Sequence, residues 1–393
     1  MRGAAARGRV LALLGAVLLV LLPQLTAGTA RADTIRERQW PLTTVGAYQA
    51  WETTRGAGVT VAVLDTGVDA GHPDLRGAVL PGRDVVGFGA DEGDEAWARH
   101  GTAMAGIIAG RGHGPGGQEG VIGIAPEAEI LPVRVLLEEA DPARDEARDA
   151  RGSALAEGIR WAVDQGADVI NLSLGDDSAS AHPDAEEDAA VRYALREGAV
   201  VVASAGNGGE DGDPVSYPAA YPGVIAVTAV DRDGARAPFS TRRWYATVSA
   251  PGKDVVIADP DRRYYHGWGT SAAAAVVSGA VALVRAAHPG LSPAQIRQLL
   301  ADTARATPPG GRSDALGAGV VDAAAAVEAG ARIEPGAQVP EPRAHTAEHF
   351  GPGPAPKDDA DTGWLAVGAG VLGALFVGAA VSLYLSARPP RRT

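Results

Sequence analysis

Four polar residues lie in surroundings that suit nucleophilic catalysis. Asp65 ends an apolar run in VAVLDTGVD, and His100 opens HGTAMAGIIAG. Ser271 lies in a Gly-Thr-Ser turn before a small-sided apolar stretch, and Asn207 closes VVASAGNGG. A serine hydroxyl needs a neighbouring base, histidine can be that base beside a buried carboxylate, and an amide can donate to an oxyanion. Taken singly, each residue could instead be a turn, structural or helix-capping residue, and linear order does not show that the four meet.

The elements that must position these residues read as a parallel α/β domain. The sequence contains several short, continuous apolar runs. Such runs are typical of strands that are buried on both faces of a parallel sheet. The predicted strands are 59–64, 130–136, 168–172, 199–204 and 224–230. In such sheets active sites form at the carboxyl ends of the strands. Asp65 and Asn207 follow two of these runs directly.

Helices are predicted between the strands from their end signals. The stretches 153–165 and 184–197 are each followed by a glycine, as expected for a helix C-terminus. Ser292-Pro293-Ala294-Gln295 has a capping-box pattern with proline at the first helical position. No internal repeat interrupts this pattern, which predicts one α/β domain from about residue 40 to 330.

Composition excludes several classes of function. The net charge is −13, whereas a nucleic-acid-binding domain is expected to carry an excess of basic residues. The composition therefore argues against nucleic-acid binding. The absence of cysteine removes disulfide scaffolds, thiolate zinc sites and cysteine nucleophiles. A hydrophobic content of 46% is enough to build a core.

The two ends of the chain read as targeting and anchoring segments. Residues 1–32 have a basic start, an apolar run and an Ala-Arg-Ala site, which predicts a cleaved signal peptide, with a retained N-terminal anchor as the alternative. Residues 364–385 would span about 33 Å as a helix, enough to cross a bilayer core. The basic tail 386–393 is predicted to be cytoplasmic, so the remainder would be extracytoplasmic. A proline-rich linker is predicted at 331–363 and a short N-terminal extension at 33–44.

Several stretches together resemble the subtilisin-like serine proteases. Asp65, His100 and Ser271 stand in that family's order, and the resemblance covers about residues 45–330. The matching stretches are 58–75, 100–110, 121–136, 168–175, 204–209, 217–231 and 249–252. The resemblance implies a three-layer α/β domain with a mainly parallel sheet between helices, and hydrolysis of peptide bonds in protein or peptide substrates. It also implies that Asp65 orients, His100 is the general base and acid, Ser271 is the nucleophile and Asn207 is the oxyanion donor.

The resemblance also assigns the substrate cleft. Ser173, Leu174 and Gly175 would form an edge that pairs with an extended peptide, and Ser204, Ala205 and Gly206 would line the first specificity pocket. The sequence departs from the family at Ala272 and Ala275, where Met or Phe and Pro are usual. Ala272 should open the leaving-group side of the cleft.

No cofactor and no required metal are predicted. A calcium site at 176–177 or 210–213 stays open, although neither spacing matches a known loop. The charged stretch 138–151 is predicted to be a solvated loop or helix, and the histidines other than His100 are predicted to be structural or on the surface.

The order of segments resembles the mycosins, which are membrane-anchored subtilases associated with type VII secretion. That resemblance implies limited processing of secreted proteins, attachment to the membrane through the C-terminal helix, and association with a type VII secretion membrane complex. Two alternatives stay open. One is a subtilase-fold scaffold that stabilises such a complex without needing catalysis, and the other is a general envelope protease.

Overall fold

Eleven strands are present in the part of the chain that the computed structural model describes, which is residues 34–150, 153–176, 178 and 181–336. They are β1 (Thr60–Asp65), β2 (Arg83–Asp84), β3 (Arg111–His113), β4 (Glu119–Ile122), β5 (Glu129–Arg134), β6 (Val169–Leu172), β7 (Val200–Ser204), β8 (Ile225–Val230), β9 (Ala246–Pro251), β10 (Lys253–Ala258) and β11 (Tyr264–Trp268). Seven of them form one sheet in the order β2-β5-β1-β6-β7-β8-β9, and every neighbouring pair in it is parallel. The strands β3 and β4, and β10 and β11, form two antiparallel hairpins.

The same described residues form ten helices, which are numbered in chain order. They are α1 (Thr34–Glu37), α2 (Trp40–Thr44), α3 (Ala47–Ala50), α4 (Arg99–Ala109), α5 (Arg144–Ala150), α6 (Ala154–Asp164), α7 (Ala185–Arg196), α8 (Thr270–Ala287), α9 (Pro293–Asp302) and α10 (Ala323–Gly330). Two short 3-10 turns occur at Pro73–Leu75 and Pro115–Gly117.

The sheet separates two apolar cores. Along β1, Val61 and Val63 belong to the core that contains α4 and α8, whereas Ala62 and Leu64 belong to the core that contains α6 and α7. This alternation follows from the two-residue period of a strand. Because both faces are covered, the strands must be apolar throughout, and that explains their continuous hydrophobic runs.

Helix α8 is apolar and long enough to cross a membrane by length and composition. However, 83% of its 18 residues are buried inside the fold, as expected for a central core helix. The membrane helix predicted from the sequence is a different segment, 364–385. It lies outside the described residues, as do the predicted signal peptide, the tail and most of the predicted linker.

The predicted fold class is confirmed. Each of the five predicted strands is present, with ends displaced by at most two residues. Asp184 caps α7 by accepting from the N–H groups of Glu186 and Glu187, and Ser292 forms the predicted capping box with Gln295. Strand β9 was not predicted from the sequence, because Thr247, Ser249 and Pro251 interrupt its apolar pattern.

Candidate active site

Asp65 is the last residue of β1 and is fully buried. Its carboxylate accepts the N–H of Thr66 at 2.7 Å and faces His100 Nδ1 with its two oxygens at 2.8 and 2.9 Å. A buried carboxylate is stable only when it is paired and hydrogen-bonded, as it is here. The carboxylate needs a donor at this contact, so neutral His100 carries its proton on Nδ1 and its Nε2 is unprotonated.

His100 is the second residue of α4, and the start of this helix packs directly on the loop after β1. A Cβ atom at Gly101 would lie 1.9 Å from the carbonyl oxygen of Gly67 and 3.2 Å from Cβ of Asp65. Only glycine allows the two backbones to approach this closely. Gly101 therefore sets the separation between the segments that carry Asp65 and His100.

The pKa of His100 lies above its ordinary value of 6.5. Partial burial of the ring favours the neutral form and by itself lowers the pKa. The charge of Asp65 and its hydrogen bond raise the pKa, the charge of Glu138 adds to this effect, and the charge of Arg144 opposes it. The attractive contributions outweigh the loss of hydration, so the imidazolium form of His100 is more stable here than in a free histidine.

Ser271 is the second residue of α8, at the positive end of the helix dipole. The preceding Gly269 has φ of 141°, a backbone conformation that favours glycine. The Ser271 hydroxyl donates to the carbonyl oxygen of Ser173 at 3.0 Å, and the Ser173 hydroxyl donates to the carbonyl oxygen of Ser271 at 3.0 Å. This reciprocal pair joins the carboxyl end of β6 to the start of α8.

Asn207 lies in the loop after β7 and holds the same helix start from another side. Its Oδ1 accepts the backbone N–H of Thr270 at 2.9 Å and the Thr270 hydroxyl at 3.0 Å. Because the oxygen of the amide is used in this way, the rotation of the side chain is set and its NH₂ group is the donor end.

His100 and Ser271 line the same cavity, which has a volume of about 360 Å³. Its other lining residues include Met104, Glu138, Trp268 and Ala272. Trp268 is 67% exposed, so the cavity has a large accessible aromatic surface at its rim. The position of Ala272 in the lining fits the prediction that its small side chain leaves space beside Ser271.

The predicted substrate segments lie beside each other, and Ser173 contacts Ser271. The Ser204 hydroxyl donates to the carbonyl oxygen of Leu174 at 3.1 Å, which joins the segment after β6 to the end of β7. Tyr245 donates its hydroxyl to the carbonyl oxygen of Ala205 at 3.0 Å. Ser173, Ser204, Ala205 and Gly206 are buried, whereas Gly175 is exposed and Leu174 is half-buried.

Glu138 is the residue of this site that the sequence reading missed. Its Oε1 accepts the N–H of His100 at 2.7 Å and the hydroxyl of Thr66 at 2.6 Å. The prediction of a solvated stretch is therefore wrong for Glu138, and it is wrong for Asp141, which is 4% exposed. Glu138 could have been recognised from its position shortly after the predicted strand 130–136, because the same rule identified Asp65.

The described residues contain no group of three His, Asp or Glu side chains that could hold a metal ion. At one of the two calcium positions considered from the sequence, Arg242 Nη2 donates to Asp213 Oδ2 at 2.8 Å. Asp177, in the other, is outside the described residues.

Comparison with known proteins decides the family. The sequence profile of the Subtilase family matches residues 56–319. The chain belongs to the subtilase family. Its catalytic domain is therefore that of a subtilisin-like serine endopeptidase, and Asp65, His100, Asn207 and Ser271 all lie inside the matched region.

Among curated subtilases, the thermophilic serine proteinase of Bacillus sp. (strain AK1) is 41% identical over 65% of this chain and 59% of its own length. Thermitase of Thermoactinomyces vulgaris is 38% identical over 68% of this chain and 88% of its own. The match therefore spans less than two thirds of the first relative and most of the second.

Solved structures of the subtilase fold include two mycosins. MycP1 from Mycobacterium smegmatis is 30% identical, with 82% of this chain and 89% of that chain covered and a TM-score of 0.64. The MycP3 protease from the type VII (ESX-3) secretion system is 33% identical, with 77% and 90% covered and a TM-score of 0.61.

Proposed function

We propose that this chain is a membrane-anchored, extracytoplasmic serine endopeptidase that carries out limited processing of proteins linked to type VII secretion. In this proposal Asp65, His100 and Ser271 form the catalytic triad and Asn207 is the oxyanion donor. The observation that supports it most directly is the contact between the buried Asp65 carboxylate and His100, next to a cavity that His100 and Ser271 both line.

Acyl transfer then follows from the tautomer of His100. Nε2 of His100 removes the hydroxyl proton of Ser271 while the Ser271 oxygen attacks the scissile carbonyl carbon. The resulting imidazolium is stabilised by Asp65. The imidazolium donates the proton to the leaving amine, and water repeats the same steps on the acyl-enzyme. Without substrate, the Ser271 hydroxyl donates to Ser173. It must rotate toward His100 for attack, and catalytic hydrogen bonds commonly tighten only when substrate is bound.

Charge on the substrate oxygen is stabilised at the start of α8. The NH₂ group of Asn207 is one donor, and the N–H of Ser271 is a second because the first four N–H groups of a helix have no intrahelical acceptor. Loss of one such donor typically costs about 10²–10³ in rate. The 173–175 segment would pair with an extended substrate backbone, and the 204–206 segment would line the pocket for the side chain before the scissile bond.

A fluorophosphonate probe tests the catalytic part of the proposal. The folded wild-type protein should be labelled at Ser271, and Ser271→Ala should abolish labelling. Ser153→Ala is the matched control because Ser153 is exposed and makes no side-chain cap contact. Absence of labelling in folded wild-type protein, or equal labelling of Ser271→Ala, would contradict the proposal.

The proposed membrane location and the proposed link to type VII secretion rest on observations separate from the site geometry. The apolar segment 364–385 with arginines after it supports anchoring, and the likeness to a protease from a type VII secretion system supports the pathway. A chain that ends at residue 363 should be released from membranes, and persistent membrane association would refute the anchor. Mapping of secreted-protein N-termini should show cleavages in wild-type cells that are lost with Ser271→Ala.

A scaffold role is the second candidate, and the Ser271–Ser173 pair is the observation that favours it. In that pair the nucleophilic hydroxyl is occupied by a structural hydrogen bond. If the protein acts only as a scaffold, Ser271→Ala should preserve secretion while deletion of the whole chain abolishes it. Loss of secretion with Ser271→Ala at normal protein levels would exclude it.

A further inference from the structure

The helices that carry His100 and Ser271 begin in the same unusual way. In both, the catalytic candidate is the second helical residue, and the capping residue, Ala98 or Gly269, provides no side-chain cap. An unpaired N–H at a helix start needs an acceptor from elsewhere. In α8 the acceptor is Asn207, and in α4 it is Glu138, which takes the N–H of His100 at 2.7 Å.

Glu138 also joins α4 to the end of β1. It accepts the Thr66 hydroxyl at 2.6 Å, and the oxygen of that hydroxyl accepts the N–H of Gly101 at 3.2 Å. The segment that carries Glu138 is itself held beside Asp65, because Val135 donates its N–H to the carbonyl oxygen of Asp65 at 2.9 Å. One carboxylate oxygen therefore ties together the residue that follows Asp65 and the backbone of His100.

The charges around His100 come from several elements. Asp65 at the end of β1 and Glu138 after β5 are negative, and Arg144 of α5 is positive. Arg99 precedes His100 but is paired with Asp259, with Nη2 2.7 Å from Oδ2. Tyr265 lies on the cavity wall together with this pair. Burial lowers the pKa of His100 and Arg144 opposes any rise, while Asp65 and Glu138 raise it; the net direction is upward.

We propose that Glu138 is a positioning residue for this site, which holds the His100 backbone in register with Asp65 and supplies a second negative charge to the imidazolium formed during acyl transfer. The inference rests on the proposed function for its catalytic meaning. Its structural part concerns only the position and the protonation of His100, so it can be measured apart from activity.

Glu138→Gln and Glu138→Ala separate the two effects. The glutamine keeps an oxygen that can accept both hydrogen bonds but removes the charge, whereas alanine removes both. Glu139→Gln is the matched control, because Glu139 is the adjacent residue of the same type and is exposed. All variants are made in the full-length protein, and their folding is checked by circular dichroism.

The charge is tested by NMR titration of the imidazole of His100, assigned by its absence in His100→Ala. Glu138→Gln should lower the titration midpoint, and the shift should be small because the His100 side chain is 38% exposed and solvent screens the charge. The acid limb of kcat/KM should move by the same amount. An unchanged midpoint in Glu138→Gln, or an equal change in Glu139→Gln, would overturn the electrostatic part.

The positioning effect is tested by kcat. Glu138→Ala should lower kcat by roughly ten- to a hundredfold, more than Glu138→Gln does, because loss of the acceptor releases the start of α4. Equal kcat values for folded Ala and Gln variants would overturn this part. If the wild-type protein shows neither labelling nor cleavage, the proposed function fails, and the NMR midpoints still decide whether Glu138 acts on His100.

Discussion

Substitution of Gly101 by alanine should disable the site through backbone geometry alone, without removing any group that takes part in chemistry. The added Cβ would lie 1.9 Å from the carbonyl oxygen of Gly67. Restoring even a tight contact of 3.0 Å requires the start of α4 and the loop after β1 to separate by about 1 Å, because the obstacle is backbone. The separation acts directly on the Asp65–His100 contact.

A displacement of about 1 Å in a catalytic group can cost about 10²-fold in rate. Overpacking of this kind typically costs about 1–3 kcal/mol of stability. We therefore expect Gly101→Ala to lower kcat/KM by about 100-fold while the protein remains folded at 25 °C. The assay measures kcat/KM with a fluorogenic peptide, the rate of fluorophosphonate labelling, and the free energy of unfolding in urea.

Gly106→Ala is the matched control, because Gly106 lies on the same helix. Its Cβ would meet Cβ of Ala258 at 3.4 Å, which is an ordinary contact, so activity should stay near the wild-type value. Helix propensity favours alanine over glycine by about 1 kcal/mol, so this variant should be as stable as wild type or more so. Wild-type kcat/KM in folded Gly101→Ala would refute the reasoning, as would an equal loss of activity in Gly106→Ala.

Three further predictions concern protonation, the cleft and stability. In the proposed mechanism neutral His100 is the base, and its pKa is raised, so kcat/KM should fall as the pH drops through a value above 6.5; an acid limb below 6.5 in a pH–rate profile would contradict this. Ala272→Met should fill part of the 360 Å³ cavity and raise KM for peptides with a bulky residue after the scissile bond more than for those with glycine there, and equal effects on both would count against it. Asp184→Ala removes the cap of α7, which accepts two N–H groups, so urea denaturation should show a loss of about 1 kcal/mol with unchanged kcat. Unchanged stability would show that this cap contributes little.

Much of the fold could be predicted because its sheet is buried on both faces. Continuous apolar runs such as those of β1 and β7 are stable only where both faces of the strand are buried, so they predict a central parallel sheet. The helix caps at Asp184 and Ser292 involve residues only a few positions apart, so they too can be predicted from the sequence. The edge strand β9 and the hairpin of β10 and β11 were not predicted, because polar and small residues interrupt their apolar patterns.

The sequence by itself determined the parallel α/β domain, the chemistry-bearing residue types and their order. These depend on local patterns, such as a carboxylate at a strand end or a serine before an apolar helix. Only the tertiary structure decided which groups meet: the two Asp65 oxygens with His100 Nδ1, the Ser271 hydroxyl with Ser173, and Glu138 with the backbone of His100. The last contact joins residues 38 positions apart, and a charged stretch in the sequence resembles a solvated loop. The physical reason is that hydrogen bonds and charges act over a few ångströms of space, whereas a sequence records only separation along the chain.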